Sequence, residues 1–193
     1  MNLVTRRHDD GNRASEAVYS ACKRYRYSLT RIWNHDDRRL LYIMLNPSTA
    51  TERANDPTVE RCERRAHMLG YGGFRVCNLF ALRETDPSRL KRAPMPEGPD
   101  NRAQILAAVD WADDVLCAWG NHGAHRRQGL SVLELLSASS KPMLALGVTG
   151  SGHPRHPLYV PYRSRPGPWR EHAGSGSGAS RKSDPFRDRR KGP

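Results

Sequence analysis

The stretch Leu40-Leu41-Tyr42-Ile43-Met44-Leu45-Asn46-Pro47-Ser48-Thr49 sets the pattern for the rest of the chain. Its apolar run, Leu40–Leu45, is too short for an ordinary helix and reads as a strand covered on both faces. Asn-Pro-Ser then ends it as a turn. Three more runs of this kind follow, Phe74–Phe80, Val115–Trp119 and Met143–Leu146. Helical patterns lie between them. Asp56-Pro57 reads as an N-cap with proline in the first turn, followed by Val59, Cys62, Ala66 and Leu69 on one face and a stop at Gly70 or Gly72. A second helix starts near Asp100 and carries Ile105, Ala108, Val109 and Ala112. A third follows Ser131, with Glu134 completing a capping box and Val132, Leu135 and Leu136 facing inward. The alternation predicts an α/β fold, a three-layer αβα sandwich around a four-stranded, mainly parallel sheet. The domain spans 40–162. Residues 1–39 form a helix/strand extension, with a helix over Ala14–Cys22 and an extra strand or hairpin arm over Tyr25–Trp33.

The 193 residues include 32 Lys+Arg and 20 Asp+Glu, a formal net charge of +12. Such an excess points to a polyanion, with nucleic acid the default partner. From Arg163 to Pro193 there are nine basic and three acidic residues around Gly174-Ser175-Gly176-Ser177-Gly178, which reads as a disordered basic tail over 163–193. It serves either as a solubilising segment or as a non-specific DNA tether. No apolar run approaches the roughly 20 residues a membrane span needs, and no charged-then-apolar leader opens the chain. A cytoplasmic protein is expected. Cys22, Cys62, Cys77 and Cys117 form no C-x-x-C pair, so neither disulfide, structural zinc nor iron–sulfur cluster is expected. His122 and His125 read as surface histidines. No cofactor is implied.

In parallel sheets, chemistry collects beyond the carboxyl ends of the strands. The exits here hold Asn46-Pro47-Ser48-Thr49, Asn78-Leu79-Phe80 with Arg83 beyond, Trp119-Gly120-Asn121-His122, and a last loop from Gly147 to Tyr159. That last loop contains His153-Pro154-Arg155-His156-Pro157-Leu158. Amides, histidines and glycines thus recur at all four exits.

These motifs, over roughly Leu40 to Tyr162, resemble the uracil-DNA glycosylase superfamily. Asn46-Pro47 is similar to that family's water-activating Asp/Asn-Pro motif, and Asn78 to its base-reading Asn. Ala118-Trp119-Gly120 is similar to its third-strand exit. The last loop is similar to the segment that supplies a catalytic His and a wedging Leu. Asn46-Pro-Ser-Thr-Ala50 with Arg155-His-Pro-Leu-Tyr159 also resembles a bacterial and phage family of unknown function. The resemblance implies a glycosylase-like fold and hydrolysis of an N-glycosidic bond on an extruded base. Asn46 would orient water, and His156 or His153 would hydrogen-bond the leaving base. His156 is favoured because it directly precedes Pro157-Leu158. Asn78, Ser48 and Phe80 would contact the base, while Arg83, Arg155, Leu158, Tyr159, Arg61 and Arg65 would contact DNA.

Two departures sharpen the expectation. Uracil-specific members carry Asp in the first motif and Tyr just after its Pro, where this chain has Asn46 and Ser48. An amide orients water but is no strong base, so bond breaking would be oxocarbenium-like. The small Ser48 leaves room beside C5 of a pyrimidine. The expected activity is a monomeric, monofunctional DNA glycosylase acting on a 5-substituted or otherwise modified pyrimidine. Its setting would be either repair or antiviral defence against modified phage cytosines. No Lys lies at a strand exit, so a Schiff-base lyase step is not expected. The second departure is the spacing of the last loop. Two other readings stay open: a non-catalytic DNA-binding module and an N-glycosidase of free nucleosides or nucleotides. Asp56 reads as a helix cap rather than a base. Arg61, Arg64 and Arg65 read equally as a solvated face or a phosphate-contacting stripe.

Overall fold

The computed structural model describes residues 2–169. Leu40 and its neighbours form β4 (Arg39–Met44), which lies inside a sheet of order β1-β2-β3-β5-β4-β6-β7-β8. The other strands are β1 (Leu3–Asp9), β2 (Ala14–Ser20), β3 (Arg26–Ile32), β5 (Gly73–Asn78), β6 (Asp114–Cys117), β7 (Met143–Ala145) and β8 (Gly167–Pro168). Strands β5, β4, β6 and β7 run parallel, whereas β1, β2, β3 and β8 join by antiparallel pairing. The expected four-stranded, mainly parallel sandwich is therefore incorrect: the sheet has eight strands and is mixed, with four antiparallel and three parallel pairings.

The difference comes mostly from the N-terminus. Ala14–Ser20 is a strand, not a helix. It follows a hairpin turn in which Gly11 sits at φ +84° and Asp10 Oδ1 accepts from the amides of Asn12 and Arg13. Strand β3 then pairs with β5. At the other end, Trp169 is buried and meets Trp119 edge-on at 5.4 Å, beside the β7–β8 pairing. Residues 163–169 thus belong to the folded body. The remainder of the expected tail, 170–193, lies outside the described residues.

The core lies on both faces of the sheet because β4 alternates its side chains between them. Leu41 and Ile43 join α3 (Asn101–Trp111) and α4 (Gln128–Ser137) through Ile105, Ala108, Val132 and Leu136. Leu40, Tyr42 and Met44 join α1 (Pro57–Met68) through Val59, Cys62 and Ala66. Asp56 caps α1, accepting from the amides of Thr58 and Val59, and Gly70 at φ +78° follows its end. The short helix α2 (Pro87–Arg92) was not foreseen. Helix α4 begins before Ser131, at Gln128, with Arg127 in the left-handed region in place of the expected capping box. Among the described residues no helix is long and apolar enough to cross a membrane.

Candidate active-site cleft at the strand exits

A cleft of about 690 Å³ opens where β5, β4, β6 and β7 end. Asn46 and Ser48 enter it from the β4 exit, Glu84 and Thr85 from β5, Trp119, Gly120 and Asn121 from β6, and Arg155, His156, Leu158 and Tyr159 from β7. These loops are tied to one another by main-chain bonds. Phe80 N donates to Leu45 O (2.9 Å), Glu84 N to Pro47 O (3.1 Å), and Gly120 N to Pro154 O (2.8 Å). The Thr149 hydroxyl donates to Asn121 Oδ1 at 2.6 Å, and Arg155 N to Gly147 O at 2.9 Å.

Two residues have a chemically defined orientation. The Asn46 amide nitrogen donates to the carbonyls of Pro47 and Glu84. Only an NH2 group can face two carbonyls, so the flip of this amide is fixed. Its Oδ1 accepts no hydrogen bond among the described residues and remains an acceptor for water or a ligand. His156 Nδ1 accepts from Leu158 N at 3.3 Å, which leaves the proton on Nε2. Burial lowers the His156 pKa to about 4, with the Asp56 carboxylate pulling weakly the other way. The ring is therefore neutral near pH 7 and carries one N–H donor.

Arginines from β3 and α1 hold these loops from opposite sides. From β3, the buried guanidinium of Arg26 donates to Ala50 O and that of Arg31 to Thr51 O, gripping the loop that follows Ser48. Burial pulls both arginines down to about 10, so they remain charged at neutral pH. From α1, Arg61 donates to the carbonyls of Pro157 and Val160, and Arg65 to those of Val160, Pro161 and Ser164. Tyr162 lies against Arg61 at 4.5 Å. Arg61 and Arg65, expected to contact DNA, thus make internal bonds, and of the two Arg65 is withdrawn from the surface. Arg65 is 1% exposed and anchors the loop that presents His156.

Of the expected site residues, the cleft gathers Asn46, Ser48, His156, Arg155, Leu158 and Tyr159. Tyr159 is 79% exposed, a large aromatic ring at the rim, 5.8 Å from the His156 ring. His153 is not on the cleft wall; its main chain exchanges hydrogen bonds with Thr149. Phe80 is buried in the core, 5.7 Å from His125, and Asn78 is 1% exposed at the end of β5. Neither lines the cleft, since both are buried beneath its wall. The Asn78 Nδ2 has no partner among the described residues. Arg83 lines a neighbouring cavity, its guanidinium 5.5 Å from the Tyr19 ring centroid. Glu84 and Thr85 line the cleft without having been singled out, and the exposed His122 lies on its wall as well. Only the closure of the loops brings Glu84 to Asn46.

Residues 26–158, which include β3 to β7 and all four helices, match the family model described as Protein of unknown function (DUF1643). Among curated proteins nothing matches the sequence.

Proposed function

The chain belongs to the DUF1643 family, and we propose that it is a DNA N-glycosylase that removes a modified pyrimidine and leaves an abasic site. The observation that carries the reading is the meeting, in one cleft, of an amide oxygen held free for water and a neutral imidazole with a free N–H. Hydrolysis of an N-glycosidic bond is accelerated by a positioned water and by a donor that stabilises the departing base. The bond breaks with its electron pair going to the base, water adds to the sugar carbon, and a proton passes to the products. Asn46 Oδ1 orients the water. His156 Nε2–H stabilises negative charge developing on the pyrimidine O2, a task suited to a neutral donor that holds its proton.

The motif resemblance to uracil-DNA glycosylases supports the reading at Asn46-Pro47 and His156-Pro157-Leu158. Ser48 beside Asn46 leaves space for a substituent at C5, which favours thymine in a mismatch or a hydroxymethylated or glucosylated cytosine over uracil. Tyr159, exposed on the cleft wall, and Leu158 beside it would fill the gap left by an extruded base. In this reading Asn78 does not read the base edge, and the polar groups of Asn121, Thr149 and Arg155 are the available base contacts. Alkali-induced cleavage of treated duplexes carrying each base tests the proposal. Strand scission on at least one of them, lost in Asn46→Ala and in His156→Ala, is expected. Intact strands with every substrate would leave only a binding module.

A further inference from the structure

A second cavity of about 640 Å³ adjoins the cleft and shares Ser48, Glu84 and Thr85 with it. Lys23, Arg24, Arg83 and Arg89 line it, four cations against the one carboxylate of Glu84. Its wall is built rather than accidental. Tyr25 and Leu82 form an antiparallel bridge, Arg83 N donates to Arg24 O at 3.0 Å, and Arg26 N donates to Ala81 O at 2.9 Å. These bonds fix the β2–β3 turn, where Lys23 sits at φ +60°, against the segment leading into α2. Arg83 is half-buried over Tyr19, and its Nε is buried without a partner among the described residues.

We infer that this basic annex holds the backbone phosphates of the DNA strand next to the extruded nucleotide, so that the substrate is a polymer and not a free nucleotide. The inference rests on the glycosylase reading for what occupies the cleft, and it adds where the strand runs. A single nucleotide seated in the cleft brings phosphate to one side only. Four cations in an adjoining cavity, sharing the Ser48 and Glu84 wall, match neighbouring phosphates of a continuous chain. Arg83, half-buried and bonded to Lys23 O, is pre-positioned and loses little entropy on binding phosphate, while the exposed Arg24 and Arg89, the latter 3.8 Å from Asp86, add charge.

The test compares two double variants of the full chain with equal loss of charge. Arg24→Ala/Arg89→Ala removes two exposed cations of the annex. Arg7→Ala/Arg102→Ala removes two exposed cations outside it. Binding of a fluorescent duplex oligonucleotide is followed by anisotropy across a salt series. The annex variant should bind about tenfold more weakly, with a log–log salt slope shallower by about 2, while the control stays near wild type. Lys23→Glu should weaken binding in the same direction. Equal losses in both double variants would reduce the effect to net charge and overturn the inference, as would unchanged affinity in the annex variant. A nucleoside monophosphate competing as well as the oligonucleotide would also overturn it. Binding requires no excision, so failure of the glycosylase chemistry would show separately, as wild-type binding without abasic sites.

Discussion

Asn46 donates both amide hydrogens to main-chain carbonyls, and the consequence can be measured. Asn46→Ala removes the water acceptor and should lower excision by about a hundredfold or more, the loss typical of a preorganised polar group. DNA retention should persist in an anisotropy assay. Asn46→Asp would set a carboxylate against the carbonyls of Pro47 and Glu84, and should lower the urea midpoint as well. His156 makes a pH-dependent contribution. Its folded pKa of about 4 lies below the ordinary 6.5, so between these values the unfolded chain binds more protons. Stability from this group is complete above about pH 6.5 and is lost as pH falls toward 4, by about 3 kcal/mol in total. Urea unfolding at pH 7 and pH 4.5 should show the drop in the wild type and a smaller one in His156→Gln. Asn46 and His156 were legible in the sequence because each directly follows a buried strand or starts a Pro-Leu turn. Asn78 and Phe80 misled because a strand end looks like a loop residue until the second face is known to be covered.

At the scale of elements, arginines and glycines do what the hydrophobic pattern could not announce. Arg65 satisfies several carbonyls of the Val160–Ser164 segment. Arg65→Ala should cost about 3 kcal/mol, seen as a fall of roughly 6–12 °C in Tm by calorimetry. Arg61→Ala should cost less, since Arg61 is only partly buried. At the β6 exit a Cβ on Gly123 would lie 2.1 Å from Trp119 Cδ1. Gly123→Ala should therefore displace the Trp119 ring, visible as a change in near-ultraviolet circular dichroism, with destabilisation of about 1–3 kcal/mol. The central parallel strands were legible because they are apolar on both faces. Strands β1 and β2 were not, and β3 (Arg26–Ile32) only as the strand or hairpin arm expected over Tyr25–Trp33. Strand β2 spells Ala-Ser-Glu-Ala-Val-Tyr-Ser, which suits a helix by composition, and β3 buries Arg26, Ser28, Thr30 and Arg31, which break the apolar signal. The Asp10-Gly11 pair was the local sign of a hairpin. The arginines of β3 make sense only once Ala50 and Thr51 are seen beside them.

Across the whole molecule, the charge of +12 separates into parts with different work. Several arginines, Arg26, Arg31 and Arg65 among them, are buried inside the fold and donate to main-chain carbonyls. Lys23, Arg24, Arg83 and Arg89 converge on the annex, and residues 170–193 carry seven further basic residues. Removing residues 170–193 should weaken non-specific DNA binding and flatten its salt dependence, without changing which base is excised. On the proposed reading, the cleft at the strand exits hydrolyses an N-glycosidic bond. The most direct measurement is an abasic-site assay on duplexes containing uracil, mismatched thymine, 5-hydroxymethylcytosine or glucosylated cytosine, run with wild type, Asn46→Ala and His156→Ala. Alkali-labile sites on at least one 5-substituted base with the wild type, and on none with either variant, is the predicted result. Intact strands throughout, or full activity in both variants, would contradict it.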